Sequence, residues 1–442
     1  MQRNLRTGAM FAAAIAALGI GSAVLDHQAS LKAAAVMAPR FEVDPMWPKP
    51  LPNHWVLGNA IGVTVDSQDH IWMVHRQASL EAMENYAMAN PPGPKRQMGV
   101  IESECCAPAP PVLEFDEAGN LIGHWGGPGE GYDWPETNHG IFVDYKGNVW
   151  IGGNGRPRPG TPPAGRGAGG ARGGAGAGGA GGTVPESQNT PPGYYNDNMV
   201  LKFTQQGKFL MQIGKPGASK GSNDVENLKG AAKMFVDPKT NELIVADGYG
   251  NHRVIVFDAD TGKYKRHWGA YGNKPDDTPL GRYNPEAPPA QQFRNPVHCA
   301  ELSHDGLLYV CDRPNDRIQV FKPDGTFVKE VFVAKNTLGD GSVWDIAFSK
   351  DPDQKYIYLA DGSNEKIYVI QRQTMEILTS FGDGGRQPGE FYAVHSIATD
   401  SKGNIFTTET YRGQRIQKFL YKGMAAVTKK DQGVVWPKST KN

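Results

Sequence analysis

The sequence has no excess charge of either sign. Its 46 Lys and Arg residues balance 46 Asp and Glu residues over 442 positions, and charged residues make up only 21%. That balance removes the electrostatic footprint of a nucleic-acid or anionic-membrane partner. The catalytic signatures of several enzyme classes are also missing: there is no serine nucleophile elbow, no HExxH and no paired CxxC, so serine-hydrolase and zincin-type readings have no support. Cysteine is scarce, at four residues. Beyond the N-terminus, no apolar run is long enough to cross a membrane.

The first 35 residues read as an export signal, with Arg3 and Arg6 ahead of an Ala-rich apolar stretch from Gly8 to Leu25. Small residues at Ala29-Ser30 and Ala33-Ala34-Ala35 offer cleavage sites. An uncleaved anchor is the alternative, because the run approaches the lower limit of a span. Cleavage would leave a periplasmic or secreted protein without a membrane partner, in a compartment that permits disulfides. Cys299 and Cys311 sit symmetrically about a hairpin turn at 303–306 and face each other, as a bridge or as two packed thiols. Cys105 and Cys106 are adjacent in a loop, open to a vicinal disulfide or a metal contact.

Glycine (55) and proline (33) are plentiful, as in an all-β chain with many turns. A pattern of four short strands recurs. The clearest copies span Ala232–Trp268, Val297–Phe332, Trp344–Phe381 and His395–Leu420, and two more, with inserts, span Ile61–Trp125 and His139–Ile213. Six such units resemble NHL repeats and predict a six-bladed β-propeller over residues 59–422, with four antiparallel strands per blade. The last copy has three strands, so residues 36–58 are expected to close blade six. Trp55–Leu57 would be the closing strand, because it resembles the ends of other fourth strands, with Val434–Trp436 in the 423–442 tail as the alternative. Closure removes an exposed sheet edge.

Two inserts interrupt the repeats. Residues 155–193 are almost entirely Gly, Ala, Pro and Arg and are expected to be disordered. A GxGxxG match at Gly165, Gly167 and Gly170 lies within this tract and has no strand–helix context. Residues 77–111 are richer and are expected to form a lid-like insert.

Counting back five positions from each first-turn residue aligns Ile61, His139, Ala232, His298, Trp344 and His395. Histidine therefore occupies this channel-facing position in blades two, four and six. Alternate blades stand about 120° apart, so three imidazoles meet at one level as a three-histidine metal site. Three nitrogen ligands with an open position favour catalytic zinc, and other divalent transition metals also suit imidazole. The bland alternative is three core histidines bonded to backbone. At the ends of second strands, His75-Arg76, Asp247-Gly248-Tyr249 and Asp312-Arg313 reach one mouth of the channel. Arg76 and Arg313 suit a carboxylate, or a salt bridge to a neighbouring Asp, and Tyr249 suits proton transfer or packing between blades.

The stretch from Ala232 to Leu420, with weaker support back to Ile61, resembles the peptidyl-α-hydroxyglycine α-amidating lyase family. The resemblance is carried by Asn138-His139-Gly140, Pro296-Val297-His298, Ala393-Val394-His395, Asp247-Gly248-Tyr249, His75-Arg76 and Asp312-Arg313. It implies a zinc held by His139, His298 and His395, a catalytic Tyr249, functional Arg76 and Arg313, and a structural calcium. The substrate class it implies is a peptide or acylglycine ending in α-hydroxyglycine and bearing a carboxylate, split into an amide and glyoxylate. Ala393 stands where the family has methionine, Gly250 stands where it has a cysteine, and no hydroxylating monooxygenase segment is recognisable. Two rival readings are a lactonase-type hydrolase, whose ligands are Glu, Asn and Asp, and a non-catalytic NHL-type binding module.

Overall fold

The computed structural model describes residues 36–85, 87, 104–135, 137–155 and 197–437. The export segment, most of the 155–193 insert, the centre of the 77–111 insert and the last five residues lie outside the described residues. The chain is a six-bladed β-propeller. Each blade is a four-stranded antiparallel sheet, and the innermost strands touch one another in turn to close a ring. These inner strands are Asn59–Val65, Asn138–Val143, Ala231–Asp237, Val297–Leu302, Asp345–Phe348 and Val394–Thr399. Among the described residues, no helix is long and apolar enough to cross a membrane.

Turn chemistry sets the repeat. Asp66 and Asp144 open the first hairpins of blades one and two. Each accepts backbone N–H groups two and four residues on, and then the indole N–H of Trp72 or Trp150 at 3.0 and 2.9 Å. The aspartate therefore fixes both the turn and a buried tryptophan of the next strand. Apolar residues from adjacent blades then interleave, as where Trp72 and Val74 of blade one meet Ile141, Val149 and Leu201 of blade two.

Blade six closes differently from the expectation. Its fourth strand is Met37–Asp44, which pairs with Arg415–Ala426 from Met37↔Ala426 to Asp44↔Lys418. The propeller strand thus runs four residues past 422. Met37–Asp44 wins because Ala38, Phe41 and Val43 bury against blade five, with the Phe41 ring 5.2 Å from Tyr358 and 5.4 Å from Phe381. Trp55 and Leu57 pack instead, half-buried, on a cluster that includes Ile71, Met73 and Leu113 of blade one. Trp55–Val56 pairs in parallel with Ala107–Pro108, beside the first insert, and the Trp55 ring meets His124 edge-on at 4.9 Å. The 434–436 segment only borders the closing strand, through the Val435 carbonyl, which accepts from the Val43 N–H at 2.8 Å.

Both cysteine pairs are bonded. Cys299 and Cys311 oppose each other in register and join across the blade-four hairpin, and Cys105 joins Cys106. Two disulfides fit an extracellular protein.

Candidate metal centre

The inner strands share an irregularity where the aligned position falls. Pairing skips Ile61 in blade one, His139 and Gly140 in blade two, Ala232 in blade three, His298 in blade four and His395 in blade six. In blade five the strand starts one residue after Trp344. A bulged residue leaves the ladder, and its side chain is re-aimed. Here three bulges turn imidazoles into the channel.

The histidines are 3%, 2% and 4% exposed, and their ring centroids lie 4.7, 4.8 and 5.1 Å apart. Each Nδ1 donates to the carbonyl of the aligned residue in the next blade. His139 donates to Ala232 at 2.7 Å, His395 to Ile61 at 2.8 Å, and His298 to Trp344. A carbonyl only accepts, so the proton sits on Nδ1 and the Nε2 lone pair faces the channel. Burial, the largest cause, with neighbouring positive charge, holds all three pKa values far below 6.5, His395 at about 3. All three imidazoles are therefore neutral at physiological pH.

Ligand atoms of the three residues lie within 4.8 Å of one another. Tyr249 reaches two of them, its hydroxyl 2.9 Å from His139 Nε2 and 3.0 Å from His298 Nε2. One hydroxyl proton satisfies one lone pair at a time. Three buried, convergent nitrogen lone pairs are a donor set suited to a transition-metal cation. A second group, Asp66, His70 and Glu114, is half-buried in blade one and includes the turn aspartate already bonded to Trp72. Neither of these two groups is all-oxygen, the donor set that calcium prefers.

The loops joining second to third strands deliver the other groups. In blades three, four and six, an acidic residue at the end of the second strand clasps an arginine at the start of the third: Asp247 with Arg253 (2.8 Å), Asp312 with Arg317 (2.7 Å) and Glu409 with Arg415 (2.6 Å). These clasped loops carry Tyr249, Arg313 and Tyr411. Arg313 lies 3.5 Å from the Tyr249 hydroxyl and stacks on Trp344 at 4.4 Å. Asp340 holds it only at 3.4 Å, and its buried Nε has no acceptor. Arg76 donates to the Asn138 carbonyl at 2.9 Å, one residue before His139, and to Asn154 at 2.7 Å.

All six expected site residues are therefore found at one end of the channel. Sequence reasoning missed Tyr411, whose hydroxyl lies 3.3 Å from Asp340 and whose pKa is pushed up to about 12 by burial and then by that carboxylate. The repeat carried the signal: Glu409-Thr410-Tyr411 aligns with Asp247-Gly248-Tyr249. A cavity of about 10 Å³, room for roughly one water, is lined by the three histidines together with Lys233, Asp345 and Ser396.

Fold and site together define a six-bladed propeller with a buried three-histidine group that could bind a metal. No protein-family model matches the chain. It is 37% identical to peptidyl-glycine alpha-amidating monooxygenase B of Xenopus laevis over 207 residues, 46% of this chain and 21% of that protein. It is 35% identical to the Mus musculus peptidyl-glycine alpha-amidating monooxygenase over 182 residues, 40% of this chain and 17% of that one. NHL repeat-containing protein 3 of Mus musculus matches at 24% over 237 residues, 50% of this chain and 58% of that one. The chain thus spans about a fifth of the amidating relatives and agrees with the resemblance carried by its motifs. A solved streptogramin B lyase covers 87% of this chain and 98% of its own at a TM-score of 0.44 and 12% identity, too distant to bear on the site.

Proposed function

We propose that the chain is an exported, zinc-dependent carbon–nitrogen lyase that splits the N–Cα bond of an α-hydroxyglycine-type substrate into a primary amide and glyoxylate. The observation that carries this reading is the convergence of His139, His298 and His395, each oriented by a backbone carbonyl, with the Tyr249 hydroxyl 2.9 Å from one Nε2 and 3.0 Å from another. The sequence relationship to peptidylglycine-amidating proteins supports the substrate class, and the two disulfides support export.

A zinc ion held by the three imidazoles would supply Lewis acidity to the substrate oxygens. Tyr249 acts as the base in its phenolate form and takes the α-hydroxyl proton. The hydroxyl oxygen's electron pair then closes the aldehyde carbonyl of glyoxylate, the N–Cα bond breaks, and the departing amide nitrogen takes the proton back from Tyr249. Arg76, half-buried and bonded to the Asn138 carbonyl next to His139, offsets negative charge developing on the oxygen. Arg313, with its unpaired Nε and long contact to Asp340, receives the substrate carboxylate.

The test pairs zinc content with glyoxylate release from an α-hydroxyhippurate-type acylglycine. The reading expects about one zinc per chain and release that requires it. A zinc-loaded protein that releases no glyoxylate from acylglycine or peptide α-hydroxyglycines would refute the lyase assignment. A folded protein that takes up no metal would refute the centre itself.

A further inference from the structure

Immediately behind the three imidazoles lies a second buried network with no part in the chemistry above. The Lys233 ammonium is 2.6 Å from Glu301 and 2.8 and 3.0 Å from the two Asp345 oxygens. Asp345 also accepts from the Ser396 hydroxyl at 2.7 Å and the Ile397 N–H at 3.1 Å. Lys233, Asp345 and Ser396 line the same small cavity as His139, His298 and His395. Burial alone would lower the Lys233 pKa, but Asp345 and Glu301 outweigh it and hold the ammonium above the usual lysine range.

The network's place in the repeat ties it to the site. Lys233 follows Ala232, whose carbonyl orients His139. Asp345 follows Trp344, whose carbonyl orients His298. Ser396 follows His395 itself. One set of polar contacts therefore joins the backbone neighbours of two of the three orienting carbonyls and of His395 itself across the channel, linking blades three, four, five and six. Buried ion pairs are seldom better for stability than apolar packing, so this one is better explained by the geometry it imposes. Coordination sites need their ligands held to within about 0.5 Å.

We propose that Lys233 and Asp345, with Ser396, are positioning residues for the three histidines, acting as a strut that sets the carbonyls and bulges from which the imidazoles are aimed. The proposal rests on the metal-centre reading, so its test has one readout that needs metal and one that does not. The first is zinc affinity by chelator competition. The second is the set of imidazole Nδ1–H proton resonances in the metal-free protein, which report the three histidine–carbonyl bonds directly.

Lys233→Met is expected to bind zinc about 10–100-fold more weakly, the usual scale for groups behind a ligand, and to lose or broaden the Nδ1–H resonances. Lys233→Arg is expected to recover most of both. Should Lys233→Met fail to fold, Ser396→Ala, which removes one contact to Asp345, is expected to weaken zinc binding about 5–10-fold. The proposal is overturned if the folded variant, Lys233→Met or failing that Ser396→Ala, keeps zinc affinity within about threefold of wild type together with all three resonances. If the wild type itself takes up no zinc, the metal reading fails and the resonances alone decide the strut: their retention in the variant overturns it, and their loss upholds it.

Discussion

Even- and odd-numbered blades use the same position for opposite purposes. In blades two, four and six the aligned residue is histidine, and its side chain enters the channel. In blades one, three and five it is Ile61, Ala232 or Trp344, and its backbone carbonyl receives the Nδ1–H of the preceding blade's histidine. A near-sixfold scaffold thereby becomes a threefold site, with imidazole and supporting carbonyl alternating around the ring. His75 of blade one sharpens the contrast. It is fully buried, yet it accepts from the Gly58 N–H at 3.1 Å and donates to the Pro110 carbonyl at 3.0 Å, so both ring nitrogens are spent on backbone. A histidine in a propeller core is a ligand candidate only when one nitrogen is left facing the axis.

Breaking the even half should have the largest effect. His139→Ala, His298→Ala and His395→Ala are each expected to lose stoichiometric zinc, with affinity falling by more than the roughly 100-fold seen for outer partners and glyoxylate release at background. Elemental analysis and turnover check this. Tyr249→Phe separates the ring from the loop above it: zinc content should stay at the wild-type level while kcat falls about 10²–10⁴-fold, the range for a lost proton-transfer group.

The pH dependence of stability tests the structural histidine. Burial lowers the His75 pKa from 6.5 to about 4. The unfolded chain therefore takes up a proton at His75 as pH falls below 6.5, while the folded chain does not until about pH 4. Stability conferred by the neutral form is complete above 6.5, declines between these values and is level below. The loss amounts to at most about 3 kcal/mol. Urea unfolding of wild type and His75→Gln from pH 7 to pH 4 should show that the difference in slope lies in this window. An identical slope in both proteins would count against the assignment.

The smallest effect is expected on the odd half. Ile61→Val keeps the carbonyl and shortens only the side chain, so it should cost about 0.5–1.5 kcal/mol of stability and leave zinc affinity unchanged. A large loss of zinc in Ile61→Val would mean that odd blades contribute through their side chains.

The alternation explains how much could be read in advance. The six repeats, the four-stranded blades and the three histidines were legible because each is written in residue identity at a fixed interval. The acceptors were not, since Ile61, Ala232 and Trp344 share no side-chain chemistry and contribute only a carbonyl freed by a bulge. Met37–Asp44 escaped notice as the closing strand because it lacks the Trp-Gly ending of other fourth strands, and its pairing is recognisable only against Phe381 and Tyr358 in blade five. Lys233, Asp345 and Ser396 belong to one network only because the ring brings three blades face to face. Tyr411 was legible, because it repeats the position of Tyr249.

X-ray absorption at the zinc edge of the metal-loaded protein tests the central claim most directly. A centre built by three alternate blades predicts three imidazole nitrogens at about 2.0–2.1 Å and a light fourth ligand. Sulfur scattering, a shell with fewer than two imidazoles, or an unchanged spectrum in His395→Ala would contradict it.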